Sequence, residues 1–157
     1  MHRVGFWMRL LAALLEAVLI YLILLSIRVG SFQIPIDEDL LMSVVWLIYT
    51  SSEAIVGAGP GKLMLGLRVG RADGVPSDRW RLFLRWSTKQ FPTLCAVLFA
   101  LTGLGLLYVI AGLLNTVLLI GFLYALNEDK QAWHDQWSGT AVYRRRDLYS
   151  TAPPVQA

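Results

Sequence analysis

Five charged side chains are spaced so that they could meet near one surface of a membrane: Arg9, Glu16, Glu53, Lys62 and Asp135. A helix would place Arg9 and Glu16, seven residues apart, within about 20° of the same face. Each charge within a membrane helix costs about 2.5–3.5 kcal/mol unless it is paired or hydrated. With two cations and three carboxylates, pairing would leave room for one proton or cation. We predict a membrane-embedded polar or ion site, or an ion-pair network that only holds helices together.

The composition favours a membrane protein with no redox or metal centre. The chain has 157 residues, of which 56% are hydrophobic and 16% are charged. Soluble domains contain on average about 45–50% apolar residues and about 25% charged residues. One cysteine excludes a disulfide scaffold, and two histidines are too few for a histidine-rich metal centre. We therefore expect no metal and no cofactor. No nucleophile or acid–base constellation supports an enzyme.

The apolar segments predict four membrane-spanning helices. No charged residue lies between Lys89 and Glu128, a run of 38 residues. One helix of that length would measure about 57 Å, nearly twice a bilayer core of about 30 Å. The run therefore predicts two crossings, with a turn at Gly103–Gly105 or at Gly112–Asn115, and we favour the first. The predicted helices cover about residues 6–29, 40–57, 86–102 and 106–127.

The distribution of basic residues predicts the orientation. Residues 58–89 contain seven lysines and arginines, and the segment after Asn127 contains four. The connection 28–39 contains one basic residue and three acids, which we expect to cap the second helix. The positive-inside rule then places both termini in the cytoplasm of a bacterial-type cell, across its inner membrane. This parity requires an even number of crossings, so the predicted fold is an all-α bundle of four transmembrane helices.

The basic cytoplasmic loop shows some structure of its own. Leu65–Val69 partly alternates and is followed by the turn signal Ala72–Gly74, which predicts a short β-hairpin. Arg79–Trp86 mixes arginine and aromatic residues and predicts an interfacial helix that leads into the third span. We interpret these residues as a lipid anchor rather than as a nucleic-acid site. The predicted contacts to lipid or to a partner protein are Arg79, Arg81, Arg85, Trp133 and Trp137.

Three blocks of the sequence resemble the RDD family of bacterial membrane proteins: residues 5–10, 59–69 and 131–140. Arg9 matches the family's arginine and Asp135 its second aspartate, while Glu16 stands where the family has its first aspartate. This replacement keeps the carboxylate and lengthens its arm, which would alter the geometry of an ion site. The resemblance covers about residues 5–143. It implies one multi-pass membrane domain, which we predict at 1–146 with a flexible tail at 147–157.

Transport is the role usually proposed for this family, and the resemblance implies it here. We expect transport of a small solute or ion, with proton coupling as one form of it. Glu16 would carry the proton, and Arg9 would be its counter-charge. The alternative is a non-transporting accessory or scaffold subunit that binds another membrane protein through Arg79–Trp86. The expected partners are the lipid bilayer and either a second copy of the chain or a membrane protein.

Overall fold

The computed structural model describes residues 2–29 and 37–150. Within these residues the chain forms seven α-helices, two strands and one 3-10 turn. In chain order they are α1 (Phe6–Val29), α2 (Glu38–Val56), α3 (Pro60–Met64), β1 (Leu67–Arg71), α4 (Arg79–Thr102), α5 (Gly105–Leu123), the 3-10 turn (Tyr124–Leu126), α6 (Trp133–Trp137), β2 (Thr140–Arg144) and α7 (Arg145–Ser150).

Three helices of the described residues are long and apolar enough to cross a membrane. They are α1, α2 and α5 with its 3-10 extension, whose mean hydropathies are 2.7, 1.4 and 2.3. Helix α4 has 24 residues, as many as α1. However, its first half contains three arginines and a lysine, so composition alone does not mark α4 as a span.

Local sequence signals explain where the long helices begin and end. The Asp37 carboxylate accepts hydrogen bonds from the amides of Asp39 (3.0 Å) and Leu40 (3.1 Å), so the acidic run caps α2 as expected. Helix α4 ends at Gly103, whose φ of 70° is favourable only for glycine. Helix α5 starts at Gly105, which is the turn that the sequence favoured, and Gly112–Asn115 lies inside α5.

Helix α4 is the central helix of the described structure. It packs along α2 and along α5, whereas α1 contacts α3 more extensively than it contacts α2. The predicted interfacial helix Arg79–Trp86 is the first part of α4 itself, with no break before the apolar part. One continuous helix therefore connects the basic segment to the centre of the molecule.

The two strands form an antiparallel ribbon, with Leu67 opposite Arg144 and Arg71 opposite Thr140. The prediction of a local hairpin after Leu65–Val69 is therefore wrong. A tight turn does follow β1, but the returning chain makes a single bridge, between Gly70 and Pro76. Proline has no N–H to extend a ladder, and the next residues already lead into α4.

The segment after β2 is ordered further than the sequence predicted. Helix α7 continues to Ser150, and Leu148 is 1% exposed in a cluster with Ala141 and Tyr143. The predicted flexible tail therefore does not begin at residue 147, because an apolar contact attaches this segment to the ribbon. Residues 151–157 lie outside the described residues.

A buried ionic cluster as the candidate functional site

Arg85 is the centre of a buried ionic cluster that joins α2, α4 and α6. Its side chain is 2% exposed. Its Nε donates to Oδ1 of Asp135 at 2.7 Å, and its Nη1 pairs with Oε1 of Glu53. The predicted interfacial position of Arg85 is therefore wrong. Leu82 and Arg85, three residues apart, lie on the buried face of α4, whereas Trp80 on another face is 64% exposed.

Glu53 on α2 is surrounded by positive charge. Besides Arg85, the ammonium groups of Lys62 and Lys89 both donate to its Oε2, at 2.7 and 2.6 Å. The Glu53 side chain is 3% exposed. Because removing a carboxylate from water is costly, three cationic partners are what make this burial tolerable. The contact between Lys62 and Glu53 brings together two residues that the sequence predicted to converge.

Asp135 on α6 is the second anchor of the cluster. It receives Arg85 on one oxygen and Arg9 of α1 on the other. Burial by itself would raise the pKa of this carboxyl, but the charges of Arg85 and Arg9 outweigh burial and hold the pKa well below its usual range. Arg9 also donates to the carbonyl oxygens of Val4 (3.0 Å) and Lys130 (2.7 Å). The cluster therefore ties the start of α1 to α4 and α6.

Glu16 lies apart from these pairs, in the seam where α1 meets the segment after α2. Its Oε1 is buried and has no hydrogen-bond partner among the described residues. The predicted pairing of Glu16 with Arg9 is wrong, because each guanidinium nitrogen of Arg9 donates to another group. The hydroxyl of Tyr49 on α2 is a second buried polar atom without a partner in the described structure, and it lies within electrostatic reach of Glu16.

The Gly59–Lys62 segment forms this seam through very close packing. A Cβ added to Gly61 would lie 2.6 Å from the Ala12 carbonyl oxygen and 2.6 Å from Cγ of Glu16. Only glycine fits there, and Pro60 starts α3 where its missing N–H costs least. By packing on α1, α3 places Lys62 against Glu53. The sequence interpretation treated this segment mainly as a helix end, and it missed the close approach.

Three further residues belong to the cluster and were not among the five predicted to form it; one of them, Arg85, was predicted as an interfacial contact instead. They are Arg85, Lys89 and His134. The first two are four residues apart in a helical segment, a spacing that places them on one face and could have revealed them. His134 is buried, with Nε2 3.4 Å from Oδ1 of Asp135. Burial lowers the pKa of His134 to about 3, so its ring is neutral near pH 7.

The other predicted surface contacts lie at or near the surface. Arg79 is exposed, and Trp137 is 71% exposed. Arg81 is half-buried and pairs with Asp78 at 3.1 Å. Trp133 is half-buried and packs so closely that a Cβ at Gly121 would lie 3.2 Å from it. Contact of these side chains with lipid or with a partner stays a prediction.

The described residues contain no group of three or more histidine, cysteine, aspartate or glutamate side chains placed to hold a metal ion. The carboxylates of Glu53 and Asp135 are occupied by cationic side chains. The ion pairs of the cluster therefore hold these charges in place and attach the helices to one another. Near Glu16, the arrangement leaves one buried carboxylate oxygen without a hydrogen-bond partner in the described structure.

Apolar helices that can cross a bilayer, together with charged groups buried where they converge, define a polytopic membrane protein. Residues 3–139 match the RDD family, and the chain belongs to that family. A protein of Bacillus subtilis (strain 168), "Uncharacterized protein YckC", is 32% identical over 143 residues, covering 88% of this chain and 82% of the relative. No solved structure matches the chain with significant similarity.

Proposed function

We propose that this protein transports a small solute or ion across a cell membrane, and that Glu16 is the exchangeable carboxylate of the transport site. The observation that carries the proposal is the pairing of the buried acids. Glu53 and Asp135 are held by several cations each, whereas Oε1 of Glu16 has no partner in the described structure. An ionisable group within a membrane segment that has no fixed partner is by default a candidate for ion or proton binding.

We propose that α4 crosses the membrane as a fourth span. This helix packs more extensively against α2 and α5 than against any other element, and its four cations all lie in its first half. An even number of spans keeps Arg3, the basic segment 58–89 and the C-terminal segment on the cytoplasmic side of a bacterial-type membrane. Because four helices enclose little space, transport would involve a second copy of the chain or a membrane partner. The proposal includes no enzymatic step and no cofactor.

The experiment that tests transport is a flux assay in vesicles that contain the purified protein. A pH-sensitive dye in the lumen reports proton movement when gradients of sodium chloride, potassium chloride or sodium acetate are imposed. We expect protein-dependent flux that Glu16→Gln reduces at least about tenfold, and that Glu128→Gln, a change at an exposed acid, leaves unaltered. Equal flux in both variants would remove Glu16 from the mechanism. Absence of flux with every salt would contradict transport of these ions.

An exposed aromatic group favours the alternative function as a non-transporting accessory or scaffold subunit. Trp80 and Phe83 are 64% and 46% exposed, and their rings stack at 5.9 Å beside the basic residues that begin α4. Such a surface suits either the lipid headgroup region or a membrane partner. Recovery of one stoichiometric partner with the protein, lost in a Trp80→Ala variant, together with no measurable flux, would support this function.

A further inference from the structure

A cleft of about 340 Å³ lies among α2, α4 and α5, above the ionic cluster. This volume falls within the range of sites for small molecules, about 300–1,000 Å³. Six polar residues contribute to its lining: Ser43, Lys89, Gln90, Thr93, Asn115 and His134. The Glu16 seam described above involves none of these residues, so the cleft is a second candidate site.

The charge of the lining selects the kind of ligand. Lys89 contributes a cation whose side chain is 24% exposed, although it also donates to Glu53. In the described structure no acidic side chain lines the cleft. The other polar groups are neutral. They are the hydroxyls of Ser43 and Thr93, the amides of Gln90 and Asn115, and the ring of His134. A cation in the cleft would meet the ammonium group of Lys89, and the carboxylate beside it, Glu53, is already paired with three cations. An anion would meet an ammonium group and neutral donors.

The charge balance of the cluster behind the cleft favours the same ligand. The buried groups are four cations, Arg9, Lys62, Arg85 and Lys89, and three carboxylates, Glu16, Glu53 and Asp135. One positive charge is in excess even when Glu16 is ionised. Uncompensated charge is expensive in a low-dielectric region. An anion beside Lys89 would compensate it, at the place where the cluster meets the cleft.

The remaining wall of the cleft is apolar. Met42, Leu118 and Phe122 contribute to it, and Trp46 adds an indole ring. A bare inorganic anion would leave this surface and most of the volume unused. A small organic anion would place its charged end at Lys89 and its hydrocarbon part against these side chains, which is how small-molecule sites combine apolar walls with a few polar groups.

We propose that the cleft binds a small monocarboxylate, with Lys89 as the charge partner and Gln90 and Thr93 as neighbouring hydrogen-bonding groups. If the protein also transports the bound carboxylate, this inference rests on the proposed transport function and identifies the class of substrate. Binding itself does not require transport. Two lysines of the cluster contact the same oxygen of Glu53, but only Lys89 lines the cleft, so Lys62 provides a matched control.

The test is a tryptophan-fluorescence titration of the full-length protein in detergent with sodium butyrate, and with butyramide as its neutral isostere. We expect a saturable change with butyrate that Trp46→Phe removes, and little change with butyramide. Lys89→Gln should weaken binding at least about tenfold, because the variant loses the charge-assisted hydrogen bond to the carboxylate. Lys62→Gln should change affinity by less than about threefold, and Lys89→Arg should retain binding.

Equal response to butyrate and butyramide, or equal losses in Lys89→Gln and Lys62→Gln, would overturn the proposal. If Lys89→Gln does not fold, Gln90→Leu and Thr93→Val give a second measurement, because they change the lining without touching Glu53. We expect each to weaken butyrate binding several-fold, and unchanged affinity in both would also overturn the proposal. Butyrate binding without flux would refute transport alone, whereas ion flux without butyrate binding would refute only this inference.

Discussion

The two regions that contain buried carboxylates differ in how these carboxylates are paired. At the junction of α2, α4 and α6, Glu53 and Asp135 share Arg85 and are each held by at least one other cation. In the seam between α1 and α3, Glu16 has an oxygen without a partner in the described structure. The first region consists of ion pairs that hold the helices together. The second has a carboxylate oxygen without a partner, so acids of the same charge differ in how the fold pairs them.

The largest effect should follow from removing the centre of the paired region. Arg85→Met leaves Glu53 and Asp135 without their shared cation, and breaking a buried pair in this way costs about 3–5 kcal/mol. We expect this loss in the free energy of unfolding, measured in detergent by chemical denaturation. Arg79→Met is the control, because Arg79 is exposed on the same helix and its replacement should cost less than about 0.5 kcal/mol. Similar losses in the two variants would mean that the cluster does not stabilise the fold.

The close packing at the unpaired region predicts the next effect. Gly61→Ala would force a Cβ to 2.6 Å from the backbone of Ala12, and such overpacking costs about 1–3 kcal/mol. Gly112→Ala in α5 is the control, since nothing lies within 4 Å of its added Cβ and alanine favours a helix. Thermal unfolding should show a lower midpoint for the first variant and an unchanged or higher midpoint for the second. A tolerated Gly61→Ala would show that α3 can move away from α1.

The neutral histidine predicts a pH dependence that belongs to the paired region. The pKa of His134 is about 3 in the folded protein and about 6.5 when exposed, so only the unfolded chain takes up this proton as the pH falls below 6.5. Stability is therefore full above pH 6.5 and falls by up to about 1.4 kcal/mol per pH unit below it. Denaturation between pH 7 and 5 should show this slope, and His134→Gln should remove most of it. His2→Gln, at an exposed site, should leave the slope unchanged; an identical slope in both variants would assign it to other groups.

The smallest effect is expected from replacing Glu16, and Glu53 provides the comparison. Glu16→Gln should change the free energy of unfolding by less than about 0.5 kcal/mol, because no ion pair is lost. Glu53→Gln leaves three buried cations around a neutral side chain and should cost about 3 kcal/mol or more. Chemical denaturation of both variants measures the difference. Equal destabilisation would show that Glu16 is also part of the structural network.

The sequence predicted the helices more completely than the site. The apolar run of 38 residues and the glycines at 103 and 105 were sufficient to locate two helices and their turn. The strand Leu67–Arg71 was identified in part, but its partner lies about 70 residues further along the chain. Local patterns contain no information about such a distant pairing. Arg85 was misplaced for a related reason, since its burial depends on which face of α4 packs against α2.

Residue types and their order along the chain determined where apolar helices form, because the length and hydropathy of an apolar run are local properties of the sequence. They also determined that several acids and bases must be accommodated together. The tertiary structure decided which acid meets which base. An ion pair requires two side chains to approach within a few ångströms, and that distance depends on how α3 docks on α1 and on how α4 is rotated. For this reason Arg9 binds Asp135 instead of Glu16, and Glu16 is left with an oxygen that no described group satisfies.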